Sequence, residues 1–251
     1  MSRLFTLSLA AGVLFAFTPA ARAADEPKVI LDKAIKAHGG EEFLTKNKAA
    51  NLKTKGKIDL PGVGETEFTQ ETSYMIPDKF KDTLEMKIMG QNVSLFTLVN
   101  GDKVTVEVNG KEVEGGGDKV KEQMKGMGHV MEIGRLAPLK NKKYELSIIG
   151  EDKVEGKKVI GIRVSAKDQK DVSLYFDKET GLLAKLEHRT ADQTTGKEIT
   201  EERIVMEYKK NKDGVPLPKK LVIKHDGKQF LEAEVTEMTM LEKIDESEFK
   251  K

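Results

Sequence analysis

The stretch "FKDTLEMKIM", Phe80 to Met89, alternates with a period of two. Phe80, Leu84, Met86 and Ile88 share one side, and Lys81, Thr83, Glu85 and Lys87 share the other. Successive side chains of a strand point to opposite faces, so this is a strand with one greasy and one wet face. The same period recurs on either side of it. "TEFTQETSYM" (66–75) sets Phe68, Thr72 and Tyr74 on one side. "VSLFTLV" (93–99) is apolar on both faces and reads as a central strand. "VNGDKVTVEVNGK" (99–111) is a hairpin that turns at Asn100-Gly101-Asp102 and then aligns Val104, Val106 and Val108.

Beyond residue 140 the rhythm returns. Tyr144, Leu146 and Ile148 form one strand, Ile160, Ile162 and Val164 the next, and Val172, Leu174 and Phe176 a third. "EITEERIVMEY" (198–208) and "KKLVIKHDGKQFLEAEVTEMTM" (219–240) complete the series. Turns fall at Glu155-Gly156, Asp177 to Gly181, Asp213-Gly214 and Asp226-Gly227. This makes about ten to twelve strands in hairpin order without a βαβ unit, so the sheet is expected to be antiparallel.

Two stretches follow a helical period instead. Asp25 or Pro27 opens the first, with Val29, Ile30, Ala34, Ile35 and Ala37 at helical spacing and Gly39-Gly40 as its stop. The second is the mid-chain "GGGDKVKEQMKGMGHVMEIGRLAPLK" (115–140). Gly115 to Gly117 reads as a mobile linker and Asp118 as an N-cap. Val120, Met124, Met127 and Met131 fall at helical spacing, while Gly126, Gly128 and Gly134 are expected to break the helix.

The first 23 residues read as an export leader: Arg3, an apolar run Leu4 to Phe17, and Ala21-Arg22-Ala23 as the cleavage site. That run is too short to span a bilayer, and no second one occurs. The mature chain, 24–251, is expected to be one soluble periplasmic or secreted domain. Without Arg3 and Arg22 it carries 41 basic and 42 acidic residues, with the signs interspersed. No basic patch with interleaved aromatics occurs, which argues against nucleic-acid binding. There is no cysteine, so core packing alone must hold an exported chain, and a thiol nucleophile is excluded.

Little in the sequence points to catalysis. "AHGGEEF" (37–43) places His38 beside two glycines, as in some esterase oxyanion loops, but no Gly-x-Ser-x-Gly elbow accompanies it. His38 is expected at a helix end, where a partial positive charge suits the dipole. His38, His129, His188 and His225 lie far apart, and none has a carboxylate at ligand spacing. No metal, cofactor or enzymatic activity is expected. The methionines Met86, Met89, Met124, Met127, Met131, Met206, Met238 and Met240 are either core filling or the lining of an adaptable apolar cavity.

Three stretches in order carry a family resemblance: "AIKAHGGEEFL" (34–44) followed by "KTKGKI" (53–58), "DVSLYFDKETGLLAKLEHRTADQTTGKEIT" (171–200), and "DGVPLPKKLVIKHDGKQFLEAEVTEMTMLEKIDESEF" (213–249). Together they resemble the periplasmic lipoprotein-carrier (LolA/LolB-like) superfamily. The resemblance implies an α+β fold, an unclosed antiparallel half-barrel with the N-terminal helix and the Asp118–Leu139 insert on its concave face. It also implies binding of acyl chains, those of lipids or of lipoproteins in transit to the outer membrane, and a strand-borne arginine that tethers the lid. Neither Arg163 nor Arg189 fits that last role. On this reading Phe80, Leu84, Met86, Ile88, Phe96, Leu98, Leu174 and Phe176 line the apolar cavity, and Met124, Met127 and Met131 form its lid. The competing reading is a structural envelope protein whose concave face is filled by its own helices and which binds a protein partner.

Overall fold

The computed structural model describes residues 26–192 and 195–251. For Gly116, Asp118, Lys119 and residues 122–125 it describes the backbone alone. The proposed leader therefore lies outside the described residues. Helix α1 spans Pro27–Ala37 and α2 Gly40–Lys46. Strands β1 (Ala49–Leu60), β2 (Gly64–Met75), β3 (Lys79–Ile88), β4 (Gln91–Asn100), β5 (Lys103–Val108) and β6 (Lys111–Glu112) follow. Helix α3, Gly116–Gly134, and a 3-10 turn at Ala137–Lys140 lead to the second series. That series is β7 (Tyr144–Val154), β8 (Lys157–Ala166), β9 (Val172–Asp177), β10 (Leu183–Ala191), β11 (Glu198–Lys210), β12 (Pro216–His225) and β13 (Lys228–Leu241).

All 13 strands form one sheet, in the order β6-β5-β4-β3-β2-β1-β13-β12-β11-β10-β9-β8-β7. Every neighbouring pair is antiparallel. The sheet does not close, since β6 and β7 are both edges. This is the open α+β half-barrel that the family resemblance implies, built from the antiparallel hairpins that the alternation predicts. The strand beyond the expected ten to twelve is β6, two residues long and too short to show a period. One pairing is non-sequential, β1 with β13, and it joins the two runs of hairpins.

The two faces differ in chemistry. The inner face bears the helices. On its C-terminal half, Ile30, Leu31, Ala34 and Ile35 of α1 pack with Val130, Ile133, Leu136 and Leu139 over Ile162, Val164, Val172, Leu174 and Phe176. The outer face of β1, β2 and β13 is a ladder of opposite charges. Lys53 pairs with Glu71 at 3.0 Å and Lys55 with Glu234 at 3.6 Å, each directly across its strand pair. This explains the high charge content as a solvated face rather than a binding patch.

Several local expectations are corrected. Val29 is 57% exposed and Leu31 takes its place in the core, because α1 buries the stripe containing Ala34 and Ile35. Helix α3 is one unbroken helix of 19 residues, and its N-cap is Gly115, not Asp118. The glycine run expected as a linker forms the start of α3. Gly115 takes a left-handed φ of 68°, and a Cβ on Gly117 would stand 3.0 Å from the Val104 carbonyl oxygen. Packing at both ends of α3 overrides the low propensity of its glycines.

Candidate ligand-binding face

The inner face of β1–β5 mixes buried side chains, Phe68, Val99 and Val106, with partly exposed ones. Phe80, Leu84, Met86 and Ile88 stand together there, all partly buried. Across β2 and β4 the register sets Tyr74, Val99, Leu95 and Val93 on the same face. Helix α3 begins above Val104 of β5, where Gly117 makes its close approach. Its far end stacks His129 on the ring of Tyr144 in β7, with centroids 6.2 Å apart. Arg135 just beyond α3 donates from Nη2 to the Leu44 carbonyl at 2.8 Å, pinning the helix end to α2. Helix α3 therefore lies across the inner face from one edge of the sheet to the other.

The structure does not bring all the sequence-derived lining residues together. Leu174 and Phe176 are on the inner face but fully buried beneath α1, in the sealed half. Phe96 and Leu98 point the other way. Phe80 pairs with Val99, so Leu98, which pairs with Lys81, and Phe96, which pairs with Thr83, stand on the outer face. Leu98 packs there with Ile244 and Phe249 of the C-terminal turn, Glu246–Phe249, with Phe96 alongside. The cause is that β4 is apolar on both sides, so its own pattern does not say which face is inner. Of the lid residues, Met127 and Met131 are partly buried on α3, while the side chain of Met124 lies outside the described residues.

Two polar clusters on the inner face escaped the sequence reading. Asp82 sits between Phe80 and Leu84 and is buried. Its carboxylate accepts from Gln70 Nε2 at 2.9 and 3.0 Å and from Thr72 Oγ1 at 2.5 Å. Burial pushes its pKa up, and those two donors only partly oppose this. The second cluster spans β10–β12. Arg203 Nε donates to Glu201 Oε1 at 2.7 Å, and its Nη2 donates to Met127 Sδ of α3 at 3.3 Å. His188 Nε2 and His225 Nε2 each stand 3.3 Å from the Glu201 carboxylate. Burial opposes the Glu201 charge, but His188 and Arg203 outweigh it and hold this carboxyl well below the usual range. Arg203 is thus a strand-borne arginine that meets α3. The pairing of β11 with β10 and β12 assembles the cluster, which no spacing within one segment reveals.

His38 is a fastener. Its Nδ1 bonds the Ala34 carbonyl at 2.8 Å, and its Nε2 accepts from the Leu183 backbone N–H at 3.3 Å. Burial lowers its pKa, and the two bonds fit the neutral ring, not the charged helix end expected from sequence. Among the described residues, no group of three or more His, Cys, Asp or Glu could hold a metal ion, and no helix is long and apolar enough to cross a membrane. A groove of about 950 Å³ opens along β13, β1, β2 and β3; the side chains of Lys55, Lys57, Glu67, Glu85 and Glu234 that line it stand on the charged outer face.

No protein-family model matches the sequence. No curated protein matches it either. Solved structures do. A LolA superfamily protein from Nitrosomonas europaea superposes with a TM-score of 0.51 at 10% identity, over 90% of this chain and 97% of its own. A DUF1329 family protein from Desulfovibrio piger gives a TM-score of 0.50 at 11% identity, over 89% of this chain and 96% of its own. At such low identity it is the architecture that is shared, and the chain has the fold of the LolA superfamily.

Proposed function

We propose that this protein is an exported, non-catalytic carrier that binds the acyl chain of a lipid or lipoprotein against the inner face of β1–β5, beneath α3. The observation that supports this reading most is the contiguous row of apolar side chains on β3, Phe80, Leu84, Met86 and Ile88, which remain only partly covered on the inner face, whereas the core of the β7–β10 half is packed under α1. Each methylene moved from water to such a surface contributes about 0.8 kcal/mol, so a chain of roughly 16 carbons gains about 12 kcal/mol before ordering costs. Met127 and Met131 suit an adjustable cover, because methionine repacks around chains of different shape. On this reading residues 1–23 are the leader, the mature domain is 24–251 and the compartment is the periplasm.

The sealed half favours a second reading, an envelope protein whose inner face is filled by its own helices and which docks to a protein partner. Mass spectrometry of organic extracts from the purified protein separates the two. Stoichiometric co-purifying lipid or acylated peptide is expected for the carrier. Protein free of lipid that also fails to take up a neutral apolar fluorophore supports the self-filled alternative.

A further inference from the structure

The Glu201–Arg203 cluster does more than brace the sheet. It sets a guanidinium and two imidazoles around one carboxylate on a face that otherwise presents Leu186, Ile223 and Leu231. Glu201 accepts one Arg203 nitrogen, and the other end of the guanidinium is turned to the sulfur of Met127, a weak acceptor that charged nitrogens bond poorly. A strong donor capped by a thioether is an arrangement that a better acceptor would improve. Its position suits the head of a molecule whose tail lies on the apolar inner face.

We propose that Arg203, with His188 and His225 beside it and Met127 of α3 over it, forms a subsite for the anionic head of an amphiphile, a phosphate or carboxylate that displaces Met127 from the guanidinium. This rests on the carrier reading and adds the chemical class of the ligand's head. A phosphate or carboxylate gives Arg203 a charge-assisted partner in place of the thioether, and such bonds are about twice as strong as neutral ones.

The test uses dodecyl phosphate, dodecanol and inorganic phosphate as competitors of the neutral fluorophore N-phenyl-1-naphthylamine on the full mature protein. Dodecyl phosphate is expected to compete at least about tenfold better than dodecanol, with inorganic phosphate ineffective at the same concentrations. Arg203→Gln is expected to abolish that preference. Because this substitution leaves Glu201 without its main partner, the double variant Glu201→Gln/Arg203→Gln, which removes both charges, is measured beside it and is expected to behave alike. Equal competition by the two dodecyl compounds in the wild type overturns the subsite and leaves the carrier reading standing. Retention of the preference in both variants also overturns it. Competition by inorganic phosphate as strong as by dodecyl phosphate shows a plain anion site and overturns the amphiphile. If the fluorophore itself does not bind, the carrier reading falls and the subsite with it.

Discussion

At His38 one imidazole ties the end of α1 to β10, and Tyr208 completes the joint by donating to the Leu183 carbonyl at 2.8 Å. Burial favours the neutral ring, so the folded protein binds this proton less readily than the unfolded chain does. The stability that this ring contributes is therefore complete above the unfolded imidazole pKa of about 6.5 and is lost as pH falls through that value towards the lower folded one. His129 is shifted the same way, again mainly by burial, and adds to the effect. Denaturant unfolding of the wild type at pH 7 and pH 5 is expected to show a clear loss at pH 5, and His38→Gln to shrink that loss. At neutral pH, His38→Ala is expected to cost about 1–3 kcal/mol, since it strands the partly buried Leu183 N–H. Asp82 carries the opposite sign. Its folded pKa is raised, so its favourable contribution belongs to low pH and disappears as pH rises through the folded value. Asp82→Asn is accordingly expected to unfold at the same or higher denaturant concentration at pH 7. Neither role was legible in the sequence. The period of two places Asp82 on the inner face, but only the register supplies Gln70 and Thr72 as partners.

The strand β4 marks where element-level reading stops. Residues whose neighbours alternate apolar and polar, such as those of β3, declare their face directly, and Phe80, Leu84, Met86 and Ile88 stand together as their spacing implies. Phe96 and Leu98 do not, because Val93, Leu95 and Val99 offer an equally apolar alternative on the other side. The C-terminal turn settles the matter. Phe249 is buried against Leu98, Asn100 donates to the Phe249 carbonyl at 3.1 Å, and Asp245 caps the turn through the Ser247 N–H at 2.8 Å. Leu98→Ala is thus expected to destabilise the fold by about 2–5 kcal/mol, as for other buried leucines, while apolar-ligand affinity in the folded fraction stays unchanged. Thermal unfolding together with a fluorophore titration measures both. For α3, its tertiary contacts outweigh its three interior glycines: Gly117 lies against β5, Met127 meets Arg203, and Val130 and Ile133 are buried over β8 and β9.

At the scale of the whole molecule, the order of hairpins made the antiparallel sheet readable from sequence. What hairpins cannot tell is where the two runs of strands meet. That seam is β1 on β13, with residues more than 170 apart in sequence brought side by side. Gly56 lies on it, and a Cβ there would fall 1.9 Å from the Glu232 carbonyl oxygen. Gly56→Ala is expected to cost about 3 kcal/mol, at the upper end of ordinary overpacking, with a Tm lowered accordingly. Gly62→Ala, at a turn where a Cβ meets nothing within 4 Å, is expected to cost less despite its positive φ of 77°. The seam and the helix α3 turn two sets of hairpins into one trough, and on the proposed function its N-terminal half is left for a guest. The most direct measurement is the affinity of a neutral acyl fluorophore for two paired variants of β3. Leu84→Gln/Met86→Gln changes the inner face, and Thr83→Gln/Glu85→Gln changes the outer face of the same strand. A loss of at least about tenfold in the inner pair only, with both pairs folded, is the expected result. Equal affinity in the two pairs would contradict the account.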